Sequence, residues 1–336
     1  MGTKVTRNDV ARLAGVSPAV VSYVLNNSNY VSEEKRRAVL EAARTLNYSP
    51  NRFAQGLRTN RSFSIALIGD SLQSELFATL AMRLFNMDFY SSLFYAQRSD
   101  SFIRRIISGR FDAVFMTSNG FSSQQLNRIV EGGSPMILYQ SRDYQGLSSH
   151  IVSMAPDFYN GMSQAMRHLI AKGHKRIAYI PPLHYQTLGL GGDDFRARAY
   201  TDMLRAYGLP ENPAYVCTST ESMSAIETEV TRMMRVLPEK ERPTAFLVGE
   251  DDIAVQLMQH LRMLEIRIPE QVSVIGWGNV SSARITTPQL TTVDAGMEDF
   301  AMHIADALVR IAGGGQPEDQ VFPVRMVVRG STGSVG

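Results

Sequence analysis

The sequence has 336 residues, of which 44% are hydrophobic and 20% are charged, a composition typical of globular proteins. Its single cysteine excludes an intrachain disulfide and any metal site built from several cysteines. The first twenty residues contain four charged side chains, and no apolar run is long enough to span a bilayer. We therefore expect a cytoplasmic protein without a secretory leader or a membrane span.

The charge is distributed unevenly along the chain. Residues 1–60 contain nine basic and four acidic residues, a net charge of +5, whereas the remaining residues carry a net charge of −3. A basic head on a slightly acidic body indicates a polyanionic partner for the head. A solvated helical surface is the alternative, and charge alone favours neither.

Two short helices are predicted near the start of the chain. Val10 and Leu13 recur at helical spacing, so residues 7–14 are predicted to form a helix that Thr6 caps and Gly15 ends. Ser17 and Pro18 then provide a cap and a first helical residue for a second helix that runs to about Asn26. Two short helices joined by a glycine-containing turn form a helix-turn-helix.

A third helix begins at Ser32, and Pro50 ends it. Residues 49–61 can form one more short helix, which is marginal by itself and would form only when something holds it. A plain linker is the alternative for this segment.

From Ser64 onward, short apolar runs bounded by turn residues alternate with helical stretches such as residues 160–173. The predicted strands are SIALIGD, DAVFMTS, PMILYQS, HIVSMA, RIAYIP, AFLVGE and VSVIGWG. Buried strands that alternate with helices predict parallel sheets of the doubly wound type, and the length suits two such sheets.

Two stretches resemble a known family. The segment VTRNDVARLAGVS, continuing through VSYVLNNSNYVSEEKRRAVLEAARTLNYSPNRFAQGLR, resembles the DNA-binding domain of LacI/GalR bacterial transcription regulators. Residues 242–293, which begin RPTAFLVGEDD, resemble the effector-binding core of the same family. The resemblance implies an all-α helix-turn-helix head plus an α/β body, with two doubly wound parallel-sheet subdomains of periplasmic-binding-protein-like type.

The resemblance also implies where the domains begin and end. We expect a DNA-binding domain at 1–48, a hinge helix or linker at 49–61, an effector-binding and dimerisation core at 62–330 and a flexible tail at 331–336. Within the core, one subdomain would contain 62–154 and 294–320, and the other 155–293 and 321–330.

In that family the second helix lies in the major groove, and a hinge helix wedges a leucine, here Leu57, into a central base step of the minor groove. Positions that contact DNA would be Thr6, Ser17, Pro18, Ala19, Ser22, Tyr23, Asn26, Asn51, Arg52, Ala54, Leu57 and Arg58. Tyr23 stands where arginine, which pairs with guanine, is common, so we expect a different half-site that favours thymine methyls. The alternative is that Pro18, Ala19 and Tyr23 are spacers.

Ligands of doubly wound sheets bind beyond the carboxyl ends of the strands. Effector-contacting positions would be Asp70, Ser71, Gln140, Arg196, Glu250, Trp277, Gly278 and Asn279. Gln140, Glu250 and Gly278 depart from the residues usual in sugar-binding relatives. Asp70, Glu250 and Arg196 could bracket a zwitterion, a polyol or a cationic nucleoside-like molecule, or could form internal salt bridges. Trp277 could stack on a planar effector or pack within its subdomain.

These patterns predict a bacterial transcription regulator, with a repressor favoured, that binds a palindromic operator as a homodimer and responds to a small-molecule effector. We expect no cofactor, no metal, no membrane partner and no catalysis, and association with the nucleoid when the protein is bound to DNA. The GLGGDD loop lacks phosphate-loop spacing, and neither a nucleophile elbow nor a zinc motif is present. The alternative is a cytosolic α/β small-molecule-binding protein or enzyme with an accessory DNA-binding head.

Overall fold

The computed structural model describes residues 5–26, 29–49, 61–72, 75–183 and 194–335. The chain divides into two compact units, a head up to Phe63 and a body from Ser64 onward. None of the described helices is both long and apolar enough to cross a membrane. Most of the predicted hinge, including Asn51, Arg52, Ala54, Leu57 and Arg58, lies outside the described residues.

Three helices form the described part of the head: α1 (Arg7–Ala14), α2 (Pro18–Asn26) and α3 (Glu33–Thr45). Gly15 ends α1 in the left-handed conformation, with φ of 66°, which a residue without Cβ adopts at low cost. The Ser17 hydroxyl accepts a hydrogen bond from the Val20 amide at 3.3 Å, as the predicted cap requires. The predicted helix-turn-helix is therefore confirmed.

The small core of the head is formed mainly by valine and alanine side chains. Val10 of α1 packs with Val21 and Val24 of α2 and with Val39 of α3. The helical spacing of Val10 and Leu13 predicts that both pack against α2. For Leu13 this prediction is wrong, because it is 54% exposed. In α1 the inward stripe passes through Val10, Ala11 and Ala14, which leaves Leu13 on the outer face.

The body begins with alternating strands and helices. In chain order they are β1 (Ser64–Gly69), α4 (Glu75–Asn86), β2 (Tyr90–Tyr95), α5 (Asp100–Ser108), β3 (Ala113–Met116), α6 (Ser123–Glu131), β4 (Met136–Leu138) and β5 (Ile151–Pro156). The chain continues with α7 (Phe158–Ala171), β6 (Ile177–Ile180), α8 (Phe195–Ala206), α9 (Met223–Thr231), β7 (Ala245–Val248), α10 (Asp251–Met263), β8 (Ser273–Trp277), β9 (Thr291–Asp294), α11 (Met297–Ala312), β10 (Gln320–Phe322) and β11 (Arg325–Val327).

The strands form two sheets, each the centre of one subdomain. The first sheet has the order β10-β5-β4-β3-β1-β2, and all of its pairs are parallel. The second has the order β11-β9-β8-β7-β6, and only β11 is antiparallel to its neighbour. The predicted pair of doubly wound parallel sheets is confirmed, with one antiparallel edge strand added.

Helices cover both faces of each sheet because successive strand residues point to opposite sides. In β1, Ile65 and Leu67 pack beneath α4 and α11, whereas Ala66 and Ile68 pack beneath α5 and α6. The second sheet is covered in the same way by α7 and α8 on one face and by α9 and α10 on the other. Each subdomain thus has two apolar layers, which fix the strand ends where the candidate ligand residues lie.

The chain passes between the two sheets after β5, after β9 and after β10. The last passage falls between Phe322 and Arg325, so β10 stays with the first sheet up to Phe322.

The prediction of a flexible tail from residue 331 is wrong. The buried Ser331 hydroxyl donates to the Val274 carbonyl at 2.6 Å and accepts from the Thr291 amide at 2.8 Å. Thr332 is also buried, and its hydroxyl lies 3.0 Å from Nε2 of His168. Small polar residues that look like a linker here serve as hydrogen-bonding partners for β8, β9 and α7.

Candidate functional site

The outer surface of α2 presents the predicted base-contacting residues. Ser17, Pro18, Ala19 and Tyr23 are exposed, and Ser22 is half-buried. The opposite face holds the buried Val21 and Val24, so packing fixes which side chains point outward. Asn26, the last predicted contact on this helix, ends α2.

Thr6 lies at the start of α1 and is also exposed. Its backbone amide and its hydroxyl both donate to the Asp9 carboxylate, at 2.9 and 2.6 Å. These hydrogen bonds lower the pKa of Asp9 and hold the first turn of the helix. The Thr6 hydroxyl is therefore already engaged within the head.

In the body, the predicted ligand residues lie where the strands end. Asp70 follows β1, Gln140 follows β4, Glu250 follows β7, and Gly278 follows β8. The parallel strands of each sheet end at the same edge of that sheet, and ligands of such sheets bind beyond this edge. These positions therefore line the cleft between the two subdomains. The exposed Ser71 lies one residue beyond Asp70.

Arg196 forms a buried ion pair with Asp194, a residue that the sequence patterns did not single out. Nε of Arg196 donates to Oδ1 of Asp194 at 3.3 Å, and its Nη2 donates to Oδ2 at 3.1 Å. Asp194 is fully buried, and the Arg196 side chain is 6% exposed. Burial opposes the charged guanidinium, but the adjacent Asp194 more than offsets this and raises the pKa of Arg196.

Asp194 also caps α8, because Oδ1 accepts from the backbone amides of Arg196 and Ala197 at 2.8 and 3.3 Å. An aspartate just before a helix is a capping signal, which could have identified this position. Of the two alternatives for Asp70, Arg196 and Glu250, the internal salt bridge describes Arg196, because a protein carboxylate already neutralises it.

Asp70 is paired as well. Its Oδ1 lies 3.0 Å from Nη2 of Arg98, which also donates to the Ser118 hydroxyl at 3.4 Å. Arg98 follows the edge strand β2, and no motif in the sequence marks it. Gln140 makes a local hydrogen bond, since its side-chain amide donates to the Arg142 carbonyl at 2.9 Å.

Glu250 lies at the start of α10 and is half-buried. Burial raises the pKa of its carboxyl to about 7. The nearby negative charges of Asp252 and Asp70 also raise this pKa, whereas the positive charge of Arg196 lowers it. Among the described residues, the Glu250 carboxylate accepts no hydrogen bond and forms no ion pair.

Asp251, by contrast, is tied into the subdomain. Oδ1 accepts from the Thr292 hydroxyl at 2.6 Å, and Oδ2 accepts from the Val280 amide at 3.0 Å. Burial raises the pKa of Asp251 to about 6, although these hydrogen bonds oppose the rise. The side chain therefore anchors the loop after β8.

Trp277 belongs to the core of the second subdomain. It is 6% exposed, and its ring stacks on Phe158 with centroids 5.3 Å apart. The Arg196 guanidinium lies over the same Phe158 ring, 4.7 Å from its centroid. The expected stacking of Trp277 on an effector does not fit this burial, and the packing alternative describes its surroundings.

Gly278 and Asn279 form the turn after β8. Gly278 has φ of 126°, a conformation that residues with Cβ rarely adopt, and this explains why an acidic residue does not fit here without a change of backbone. The side-chain oxygen of Asn279 accepts a hydrogen bond from Arg329. This oxygen is therefore engaged within the second subdomain.

Polar interactions between described residues join the two walls of the cleft. The Ser141 carbonyl accepts from the Phe195 amide at 2.8 Å, and the Ser141 hydroxyl donates to Asp194 at 3.2 Å. Asp143 pairs with Arg198 at 2.6 Å. On the other side, Glu75 accepts from the Ser281 amide at 3.2 Å. Asp194 thus links the ion pair of Arg196 to the contact between subdomains.

Comparisons with known proteins agree with this architecture. Residues 6–51 match the family described as bacterial regulatory proteins, lacI family, and residues 166–332 match the periplasmic binding protein-like domain. The chain is 31% identical over 297 residues to the HTH-type transcriptional regulator GalS of Salmonella typhimurium, covering 86% of this chain and 84% of the relative. It is 28% identical over 315 residues to the HTH-type transcriptional repressor PurR of Glaesserella parasuis, covering 90% and 89%.

Solved structures share the fold over nearly the whole chain. A lac repressor dimer bound to operator and the anti-inducer ONPF superposes with a TM-score of 0.78 at 22% identity, covering 99% of this chain and all of that one. A complex of the transcriptional regulator CelR with cellobiose gives a TM-score of 0.65 at 26% identity, covering 97% and 99%. Head, body and relatives agree, and the chain belongs to the LacI family of bacterial regulatory proteins.

Proposed function

We propose that this protein is a transcription repressor that binds a palindromic operator and is controlled by a small molecule in the cleft of its body. The observation that carries the proposal is the outer face of α2. Val21 and Val24 fix the helix on the head, while Pro18, Ala19 and Tyr23 stay exposed on the opposite side. A helix held in this way can enter the major groove and present those side chains to base edges.

The chemistry of this face supports a half-site with thymine near the N-terminus of α2. Pro18 and Ala19 offer only apolar contacts, which suit thymine methyl groups, and Tyr23 offers a ring and one hydroxyl. Affinity would come from the basic head, whose net charge of +5 over residues 1–60 suits contact with phosphates. The family resemblance adds Leu57 as a minor-groove wedge and Asn51, Arg52, Ala54 and Arg58 as its neighbours.

A homodimer is the proposed assembly, because a palindrome needs two heads related by a twofold axis. The α4–β2 patch supports it. This patch is a group of exposed apolar side chains on the outer helix and edge strand of the first sheet, and it contains Met82, Phe85, Tyr90, Leu93 and Tyr95. The rings of Phe85 and Tyr90 lie edge to face with centroids 6.5 Å apart, and exposed apolar surface of this kind is typical of protein interfaces.

The contacts across the cleft suggest how an effector would act. Ser141, Asp143 and Glu75 on one wall bond to groups on the other, so a ligand between the walls would shift the balance between closed and open arrangements. A change in the angle between subdomains would then alter the spacing of the two hinges in the dimer.

The operator prediction is tested by selecting genomic fragments that bind the full-length protein and sequencing them. We expect a palindrome whose half-sites are rich in thymine at one end, and its loss with Tyr23→Ala. Tyr207→Ala, which removes a tyrosine of similar exposure from the body, is the matched control and should select the wild-type motif. Failure of the wild-type protein to enrich any palindrome would refute the regulator proposal.

The dimer prediction is tested by sedimentation. Phe85→Glu places a charge in the α4–β2 patch and should give a monomer that binds operator weakly. Val236→Glu changes an apolar residue that is 73% exposed in the second subdomain and should stay dimeric. A dimeric Phe85→Glu protein would rule out this patch as the interface.

A further inference from the structure

Of the three charged residues predicted to contact a ligand, Asp70, Arg196 and Glu250, all but one already have an oppositely charged partner. Arg98 neutralises Asp70 at 3.0 Å, and Asp194 neutralises Arg196 through two hydrogen bonds. A third hydrogen bond, from Nη1 to the Gly249 carbonyl at 3.4 Å, directs the Arg196 guanidinium into the second subdomain. Neither arginine is therefore available as a free cation for a ligand.

The exception is Glu250. Among the described residues nothing donates to its carboxylate, although the adjacent Asp251 accepts from both Thr292 and Val280. The charges that act on Glu250 through space are Arg196 from α8, Asp70 from the end of β1 and Asp252 from its own helix. Two of these three are acidic, and the one cation already has a partner.

The balance of charge selects a class of ligand. With the two ion pairs cancelled, the described residues of the cleft keep the negative charges of Glu250, Asp252 and Glu75, none of which forms an ion pair. Among the described residues, an anionic ligand would meet these carboxylates and no arginine that lacks a partner, and a neutral polyol would leave the buried Glu250 carboxylate without a counterion, which is costly. A ligand that carries a positive charge would remove that cost.

We propose that the effector is an organic cation whose protonated amine or amidinium group pairs with Glu250. This inference rests on the proposed function, in which the cleft binds an effector that controls operator binding. Of the residues that depart from the sugar-binding pattern of the family, Gln140 and Gly278 replace acidic residues, and only Glu250 offers a carboxylate, on a side chain longer than the usual asparagine or aspartate.

A dependence on pH follows. Burial raises the pKa of Glu250 to about 7, and a cation binds only to the ionised form. The apparent affinity should therefore rise about tenfold between pH 6 and pH 8 and become level above that. The charged and titratable groups that face Glu250 are Arg196, Asp70, Asp252 and the buried Tyr139.

The experiment tests the charge of the effector without requiring that its identity be known. A deproteinised metabolite extract of the native host is divided on a cation-exchange resin at pH 7 into a retained cationic fraction and an unretained fraction. Each fraction is added to the full-length protein on fluorescent operator DNA, and the change in anisotropy is measured at pH 6, 7 and 8. Glu250→Gln is compared with Glu298→Gln, an exposed glutamate at the start of α11.

We expect only the cationic fraction to change operator binding, more strongly at pH 8 than at pH 6. Glu250→Gln should need about 30-fold more of that fraction and lose the pH dependence, whereas Glu298→Gln should match the wild type. Activity confined to the unretained fraction, or an unchanged response of Glu250→Gln, would overturn the cation but leave effector control intact. If neither fraction acts on the wild-type protein, effector control itself is refuted. The pH dependence of the wild-type response tests the pairing of a cation with Glu250 without the use of a variant.

Discussion

Removing either partner of the buried Arg196–Asp194 pair should destabilise the body, but by unequal amounts. Without the Asp194 charge, Arg196 keeps only the Gly249 carbonyl and the face of Phe158. Without Arg196, Asp194 keeps three donors, namely two amides of α8 and the Ser141 hydroxyl. The carboxylate thus survives the loss of its partner better than the guanidinium does.

Asp194→Asn keeps the size of the side chain while it removes the charge. An unpaired buried charge costs about 3 to 5 kcal/mol. In a body of this size that corresponds to a fall in Tm of about 6 to 10 °C. Arg196→Met should cost about 1 to 3 kcal/mol, because the remaining carboxylate stays hydrogen-bonded.

The assay is urea unfolding of the full-length protein, with far-ultraviolet circular dichroism and thermal melts in parallel. The double variant, Asp194→Asn with Arg196→Met, should be no less stable than Asp194→Asn alone, because it leaves no uncompensated charge. If Arg196→Met costs as much as Asp194→Asn, or if the two losses add in the double variant, the argument from unequal hydrogen bonding is refuted.

Three further changes test other parts of the structure. Glu250 has a pKa of about 7 in the folded protein and about 4.3 in the unfolded chain, so the free energy of unfolding should fall as pH rises between these values. At pH 8, Glu250→Gln should therefore be about 2 kcal/mol more stable than the wild type in urea unfolding. Equal stability of the two proteins at pH 8 would contradict a buried carboxyl. Tyr23→Phe should alter the selected operator at one base position per half-site, and an identical motif would mean that the hydroxyl reads no base. Gly161→Ala would place Cβ 2.5 Å from the Trp277 ring and should cost about 1 to 3 kcal/mol, whereas wild-type stability would show that the ring can move freely.

The helix-turn-helix could be predicted because its signals are local. The Ser17–Pro18 pair marks the start of α2, and Gly15 marks the end of α1. The exposure of Leu13 could not be predicted in the same way, because in an eight-residue helix the same apolar residues fit two adjacent faces. Only the packing of α3 decides which face turns inward.

In the body, the predicted strands are buried strands that continuous apolar runs mark. The buried β9 was not predicted, because its two threonines interrupt such a run. β2 was missed because its edge position leaves a mixed pattern, with Ser91 and Ser92 between Tyr90 and Leu93. β10 and β11 have three residues each, too few for a periodic signal. Their place depends on partners more than 30 residues away in the chain, such as Met154 and Asp294.

The cleft was predicted in outline, because strand ends select Asp70, Gln140, Glu250 and Gly278. Internal salt bridges were one alternative for these charged residues, but their partners could not be predicted, because the partner of Asp70 is Arg98, 28 residues away on another element. The role of a charged residue depends on which opposite charge lies beside it, and this is a property of the tertiary fold.

The stack of Arg196, Phe158 and Trp277 has a practical consequence. Trp277 is the only tryptophan of the sequence, and it lies in the second subdomain, one aromatic ring away from the guanidinium. Its fluorescence therefore comes from the body alone, and a ligand that displaces Arg196 or Phe158 should change its emission without any added label. Occupancy of the cleft can thus be followed by intrinsic fluorescence while labelled operator reports on the head, so that the two ends of the regulatory coupling are measured in one cuvette.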